Sequence, residues 1–202
     1  MTRHLPQAER RRQILGAART VFVEKGYLSA RIQDVADRAM IAKGTVYFYF
    51  SSKREVLDAL IDEEHRVALG FLEEADRDPR PAVEKLVDLG TKYLRFYSTL
   101  PSPPRFFLLM NGLAIRDEEI RERVLTVHER FLGLLSALIE QGIQEGQFRE
   151  IDPLAGAMLL KATMDGLVGQ AAIGVPPDTD RLLTDGIRVV LAGLVRPEGA
   201  TT

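Results

Sequence analysis

The sequence contains no cysteine and no tryptophan among its 202 residues, and aromatic residues make up only 7%. The lack of cysteine excludes disulfides, thiolate metal sites, iron–sulfur clusters and cysteine nucleophiles. The low aromatic content argues against an aromatic-rich β-barrel. No apolar run reaches the roughly 18 residues that span a membrane, and no apolar segment follows the N-terminal arginines as it would in a secretory signal. We therefore expect a soluble cytoplasmic protein with no membrane partner.

Signs of catalysis are also missing, because the sequence has no GxSxG motif, no phosphate-binding loop and no dinucleotide glycine motif. Asp62, Glu63, Glu64 and His65 form a dense group of potential metal ligands. Adjacent residues of a helix point in different directions, however, and no second histidine lies four residues from the first. We interpret the group as a solvated acidic helix face. The prediction is a protein that is not an enzyme and that needs no metal or cofactor.

The charge of the chain is unevenly distributed, although the formal net charge is only −2. Residues 1–55 contain 11 basic and 5 acidic side chains, a net charge of +6, and the remainder has a net charge of −8. A basic segment of this kind is typical of a protein that binds a polyanion at one end. It is equally typical of an ordinary solvated face, so the motifs must decide.

Apolar residues recur every three or four positions through most of the chain, which predicts an all-α fold of about nine helices. On the first helix Ile14, Ala18, Val21 and Phe22 share one face, and Gly26 follows its end. Proline-containing segments at 76–81, 99–104 and 175–180 separate the later helices. The predicted helices cover residues 8–25, 31–39, 43–50, 53–75, 83–97, 106–113, 118–146, 153–174 and 181–195.

The second and third of these helices are too short to be stable alone, because isolated helices below about 12–15 residues are marginal in water. They must pack on each other and on the first helix. Two short helices joined by the three residues 40–42 form a helix-turn-helix, the unit that presents one helix to the major groove of DNA.

The segment 14–57, ILGAARTVFVEKGYLSARIQDVADRAMIAKGTVYFYFSSKREVL, resembles the DNA-binding domain of TetR-type bacterial transcriptional regulators. The resemblance implies an N-terminal three-helix DNA-binding domain at residues 1–52 and a helical ligand-binding and dimerisation bundle at residues 53–202. It also implies that four residues approach the bases: Gln33, Lys43, Gly44 and Thr45. Three others would hold phosphates: Tyr47, Tyr49 and Lys53. The basic arm, Arg3 with Arg10, Arg11 and Arg12, could add backbone or minor-groove contacts, although these arginines could equally serve solubility.

Two residues of the turn depart from the pattern of the family. Met40 stands where a glycine usually closes the second helix, and Ala42 stands where a serine or similar residue often caps the third. A left-handed backbone costs a non-glycine residue about 1 kcal/mol or more, and the loss of a hydroxyl cap costs about as much again. We therefore expect a turn that is slightly strained or differently shaped.

Aromatic residues alternate along the third helix, and their burial can be predicted in part. Phe48 and Phe50 are expected in the core, as phenylalanines usually are. At least one of Tyr47 and Tyr49 should be exposed, because residues two apart on a helix cannot both face inward. Lys53 could be an ordinary helix-start lysine, but a cation is unfavourable there, which favours a phosphate partner.

The last two helices carry the signal for dimerisation. The helix after Pro153 is rich in glycine and alanine, and glycine inside a helix costs about 1 kcal/mol against alanine, so such a surface suggests close approach of another helix. Two such helices from each of two subunits would form a four-helix interface in a homodimer. A two-fold dimer would then recognise a palindromic site in double-stranded DNA. The alternative is that these helices pack only within the monomer.

Apolar and aromatic residues crowd the fifth to seventh helices and predict a site for a small, largely apolar effector. The candidate ligand-binding residues are Tyr97, Phe107, Met110, Asn111, His128, Phe131, Lys161 and Asp165, each of which could instead be structural. The preferred function is a repressor that such a ligand releases from its operator by shifting the fourth helix. The alternatives are a helical protein-interaction module, or an activator of the same architecture without ligand-triggered release.

Overall fold

The computed structural model describes residues 6–99, 102–175 and 177–195, so Arg3 of the predicted basic arm lies outside the described residues. The described chain is all-α, as the sequence predicts. Eight α-helices are followed by a ninth helical segment that contains a π-helical turn. The helices are α1 (Gln7–Lys25), α2 (Ile32–Arg38), α3 (Lys43–Tyr49), α4 (Lys53–Arg77), α5 (Ala82–Thr99), α6 (Ser102–Ala114), α7 (Glu118–Gln144), α8 (Pro153–Ala172) and α9 (Thr179–Arg181, the π turn Leu182–Gly186, and Ile187–Leu194).

Polar caps begin the long helices. The hydroxyl of Ser52 accepts from the amide of Glu55 at 3.1 Å, which starts α4, and Asp117 caps α7 in the same way. Asp152 accepts from two amides at the start of α8, next to Pro153 at the favoured first position. The ninth helix starts two residues earlier than predicted, after Asp178. Its π turn was not predicted, because the apolar residues of this segment, from Leu183 to Leu194, keep the three- and four-residue spacing of an α-helix.

The helix-turn-helix residues, here called the head (α1, α2 and α3), share one hydrophobic core with parts of the other helices. The predicted inner face of α1 is buried, and it packs with Val46 of α3 and with Phe50, which directly follows α3. The same core includes the first turns of α4, from Val56 to Ile61, and Phe106 and Met110 of α6. The division of the chain at residue 52 stays a prediction, and the core of the head extends across it.

A second core lies among the helices that follow the head, here called the body. It is built from one side each of α4, α5, α7 and α8, with Leu72, Leu89, Leu135 and Ile139 at its centre. Ion pairs tie α4 to α7 outside this core, because Arg54 of α4 binds Glu119 of α7 and Arg123 of α7 binds Asp58 of α4. α4 therefore belongs to both cores and joins the head to the body. No helix in the described ranges is long and apolar enough to cross a membrane.

Candidate functional site

The turn between α2 and α3 has the strain that its sequence predicts. Met40 adopts a left-handed backbone with φ of 53°, the one positive φ at a non-glycine residue in the described chain, and its side chain is 86% exposed. The amide of Ile41 donates to the carbonyl of Ala36 at 3.0 Å, which closes the end of α2. Ala42 begins α3 without a side-chain cap. The geometry that glycine usually permits is therefore kept here at the cost of strain.

The outer face of α3 consists of Lys43, Gly44, Tyr47 and Phe48, which are all exposed. Val46 and Phe50 point into the core of the head, while Thr45 and Tyr49 are half-buried beside the outer face. A Cβ added at Gly44 would meet no other atom of the described residues within 4 Å, so none of these neighbours requires a glycine here. Five of the predicted DNA-binding residues thus lie together on or beside one face of a single helix.

Phe48 corrects the prediction that both phenylalanines of α3 lie in the core. Phe50 is buried as expected, but Phe48 is 78% exposed. It stands two residues from both Val46 and Phe50, which point inward, so the helical repeat directs its ring outward. Its spacing of four from Gly44 was the signal that could have placed it on the outer face.

The ammonium group of Lys53 forms hydrogen bonds within the protein. Its ammonium donates to the carbonyls of Tyr27, Leu28 and Ala30 at 2.9, 3.2 and 2.9 Å, and it lies 4.6 Å from the centre of the Tyr27 ring. These contacts fix the loop between α1 and α2 against the start of α4. A phosphate contact by Lys53 stays a prediction, and the structure gives the residue a second, structural role.

The remaining predicted DNA-binding groups flank α3. Gln33 is exposed on α2, and its amide donates to Asp37 at 2.7 Å. On α1, Arg10 donates to Gln13 at 2.7 Å, and the guanidinium of Arg11 lies 5.1 Å from the centre of the Phe50 ring. Arg11 therefore places positive charge near the end of α3.

The eight predicted ligand-binding residues surround one cavity of about 80 Å³ between α4, α5, α6, α7 and α8. The cavity is also lined by six residues that the sequence did not indicate as ligand contacts: Glu64, His65, Ala68, Tyr93, Val124 and Val127. The volume is small against the roughly 300–1,000 Å³ of sites for drug-sized ligands. A second cavity of about 370 Å³, lined mainly by leucine, isoleucine and valine, lies between α5, α8 and the π turn of α9.

A chain of hydrogen bonds, ion pairs and one ring contact runs from the head through this cavity to α8. Arg19 of α1 donates to Glu64 of α4 at 2.6 Å, and the hydroxyl of Tyr97 donates to the other carboxylate oxygen of Glu64 at 3.0 Å. Tyr97 packs against Tyr93 with ring centres 4.8 Å apart, and the hydroxyl of Tyr93 lies 3.4 Å from Asp165.

Lys161 completes the chain at its α8 end. Its ammonium binds both carboxylate oxygens of Asp165, at 2.7 and 2.9 Å. Six side chains from α1, α4, α5 and α8 thus form one buried or half-buried line of polar groups.

Glu64 also corrects the interpretation of residues 62–65 as a solvated acidic face. Asp62 is largely exposed, but Glu64 is only 2% exposed. The position follows Leu57, Leu60 and Ile61 on the apolar stripe of α4, and that stripe directs the carboxylate into the protein. An acidic residue in register with apolar ones was the available signal. In the described part of the chain, no three potential ligands among His, Cys, Asp and Glu are placed to hold a metal ion.

Burial sets the protonation of the neutral groups that line the cavity. Burial, with the positive charge of Arg123, lowers the pKa of His65 to about 4, so its imidazole is neutral at pH 7. Burial raises the pKa of both Tyr93 and Tyr97 above the ordinary tyrosine value. Both hydroxyls therefore keep their protons and can donate hydrogen bonds to the carboxylates beside them.

Comparison with known proteins identifies the class to which this arrangement belongs. Residues 14–60 match the model of bacterial regulatory proteins of the tetR family, and residues 82–196 match the model of the C-terminal region of BetI-type transcriptional repressors. The uncharacterized regulator YfiR of Bacillus subtilis (strain 168) is 30% identical over 166 residues, which cover 81% of this chain and 80% of YfiR.

Two solved structures share the fold over nearly the whole chain. A transcriptional regulator from Saccharomonospora viridis in complex with choline has a TM-score of 0.79 and 24% identity, covering 95% of this chain and 100% of that chain. The regulator FadR from Bacillus subtilis in complex with stearoyl-CoA has a TM-score of 0.71 and 23% identity, covering 90% and 98%. The molecule is thus a helix-turn-helix DNA-binding transcriptional regulator. It belongs to the TetR family.

Proposed function

We propose that this regulator is a cytoplasmic repressor, released from a palindromic operator when a small molecule occupies the cavity between α4 and α8. The observation that carries the proposal is the position of Glu64. This carboxylate lines the cavity and also binds Arg19 of the head at 2.6 Å. A change in the cavity therefore acts directly on a contact that holds the head.

The DNA contacts are proposed for the outer face of α3. Lys43, Gly44 and Thr45 at the start of the helix would approach base edges, because the first residues of a recognition helix point into the major groove. Tyr47 and Tyr49 would donate to phosphates, with Gln33 and Lys53 at the edge of the contact. Phe48 would add apolar contact, for which thymine methyl groups are suitable partners.

The dimer interface is proposed for α8 and α9, and the glycines of α8 support it. Gly156 needs its small size within the monomer, because a Cβ there would lie 3.1 Å from Ile151 and 3.2 Å from Ile139. Among the residues that the structure describes, no atom would lie within 4 Å of a Cβ at Gly166 or Gly169. Packing within the monomer therefore does not explain these two glycines, whereas close approach of a partner helix does.

Exposed apolar side chains on the same helices support the same interface. Leu154, Met158 and Leu159 are exposed along α8, and Val189 is exposed on α9. A monomer that left this surface in water would be prone to associate. Two-fold pairing of α8 and α9 would bury it in a four-helix arrangement.

Release would follow from the double role of α4. A ligand that prefers one arrangement of the cavity lining shifts the position of α4, and α4 shares its first turns with the core of the head. The two heads of the dimer then lose the spacing of about 34–36 Å, or a multiple of it, at which adjacent major grooves can be read. Coupling of this kind is typically worth about 1–3 kcal/mol, or 5- to 150-fold in DNA affinity.

The test of this proposal is DNA binding by the full chain. Duplexes selected from a random pool should yield an inverted repeat, bound far more tightly than one isolated half-site. Binding should weaken steeply with salt, and Lys43→Met should relax the sequence preference at the base that Lys43 contacts. Leu159→Glu should yield monomers in sedimentation and abolish the preference for the repeat. Equal affinity for the repeat and the half-site would contradict the proposal.

A further inference from the structure

Four aromatic rings enclose the cavity between α4 and α8. Tyr93 and Tyr97 of α5 lie 4.8 Å apart, centre to centre, Phe131 of α7 lies 6.4 Å from Tyr93, and Phe107 of α6 lies 6.4 Å from Tyr97. Aromatic faces carry negative potential, so a group of rings around one small space attracts a cation. Rings alone would also suit a neutral aromatic ligand, so the charges of the lining must decide.

Negative charge exceeds positive charge in the cavity lining. The lining has two carboxylates, Glu64 on α4 and Asp165 on α8. Apart from two histidines, Lys161 is its single basic side chain, and of the two histidines His65 is neutral. Arg19 neutralises part of Glu64 from the head, outside the lining. An anionic ligand would therefore face two carboxylates and could pair only with Lys161 and His128.

The protein already holds an ammonium group in this aromatic space. The Lys161 nitrogen lies 4.9 Å from the centre of the Phe131 ring and binds Asp165. The Lys161 side chain is only 11% exposed, while that of Asp165 is 30% exposed. Lys161 thus shows that the space beside Phe131 accepts an ammonium group paired with a carboxylate.

We propose that the effector is a compact organic cation whose ammonium group replaces that of Lys161 among the four rings and competes with Arg19 for Glu64. This inference rests on the proposed function, of which it names the effector class. An alkylated ammonium combines one charge with an apolar surface, and its size suits a cavity of about 80 Å³ better than a long acyl chain does. The cation draws Glu64 away from Arg19, which loosens the head.

The test is calorimetric titration of the full chain with choline, tetramethylammonium and an uncharged analogue of choline in which a tert-butyl group replaces the trimethylammonium group. We expect the cations to bind at least about tenfold more tightly than the analogue, because desolvated cation–π contacts are lost in the latter. Glu64→Gln and Asp165→Asn should each weaken binding of choline.

Lys161→Met gives the sharpest result, because it removes the internal competitor. It should tighten choline binding several-fold, whereas a site for anions would be weakened by the same change. Lys85→Met is the matched control, since Lys85 is also buried but binds Gln141 outside the cavity. It should leave choline affinity unchanged. Should Lys161→Met destabilise the chain, Asp165→Asn and the uncharged analogue still decide the result.

Equal binding of choline and its analogue, no binding of either ammonium ion at millimolar concentration, or weaker choline binding by Lys161→Met would each overturn the inference. The proposed function is tested separately by binding to the selected inverted repeat. A chain that binds the repeat but is released only by uncharged or anionic compounds keeps the proposed function and refutes the cation. A chain that binds choline but no DNA refutes the proposed function instead.

Discussion

The contact between Arg19 and Glu64 yields a quantitative prediction about stability. Arg19 is half-buried between α1 and α4, with its guanidinium 4.9 Å from the centre of the Phe106 ring, and Glu64 is buried. Removing one partner of a buried ion pair costs about 3–5 kcal/mol, because the other charge stays buried without compensation. Arg19→Met should therefore lower the free energy of unfolding by about 3 kcal/mol, the lower end, since Tyr97 still donates to Glu64.

The converse change should cost less. In Glu64→Gln the amide oxygen can still accept from Tyr97, and Arg19 keeps Glu63, which lies 3.1 Å away. We expect a loss of about 1.5–2 kcal/mol, the lower part of the range for a hydrogen bond to a charged group. Arg19→Met combined with Glu64→Gln should cost less than the two single losses together, because both changes remove the same interaction.

Urea unfolding followed by circular dichroism measures these differences. Arg130→Met is the matched control, because Arg130 also binds a glutamate of α4, Glu73, but its side chain is 61% exposed. Exposed pairs contribute about 0–1 kcal/mol, so this control should change little. If Arg19→Met costs no more than Arg130→Met, Glu64 is not held as a buried charge, and the link from the cavity to the head is wrong.

Further predictions concern the turn, the outer face of α3, the loop lysine and the cavity. Met40→Gly should stabilise the chain by about 1 kcal/mol in urea unfolding by relieving the left-handed backbone, and Met40→Ala should not. Gly44→Ala should raise stability by up to about 1 kcal/mol yet weaken DNA binding in anisotropy titrations, whereas Gly133→Ala on α7 should raise stability alone. Lys53→Met should cost about 2 kcal/mol in unfolding through its lost carbonyl contacts, and an unchanged salt slope of DNA binding would rule out a phosphate contact. Because the pKa of His65 is lowered to about 4 only in the folded chain, stability should fall as pH drops from about 6.5 to 4, and His65→Gln should lack that part of the loss.

The fold could be predicted because its determinants are local. The apolar repeat of α1, the short pair α2 and α3, and the proline at the start of α8 each depend on residues within a few positions of one another. The strain at Met40 was equally predictable, because the backbone of a turn limits which residues fit it without cost. Phe48 was misassigned because its residue type was weighed more heavily than its spacing from Val46.

The cavity could be predicted as a group of residues but not as an arrangement. Tyr97, Phe107 and Phe131 were selected for their composition and position on helices, and the structure brings them together. Their contact with Glu64 depends on how α4 packs against α5 and α1, which no local pattern specifies. Lys53 shows the same limit, since its three carbonyl partners lie more than 20 residues away along the chain.

Glu64 and Lys53 give α4 the two contacts with the head through which the proposed signal would pass. Lys53 fixes the first turn of α4 to the loop after α1, and Glu64, three turns further on, binds Arg19 of the same α1. Glu64 lines the cavity between α4 and α8 and Lys53 does not, so a ligand bound there would act on the second contact. In the proposed mechanism, a head that keeps the Lys53 contact and loses the Arg19 contact would rotate about the first turn of α4 rather than detach. Loss of both contacts, in Lys53→Met combined with Arg19→Met, should therefore abolish ligand-dependent release even where DNA binding persists.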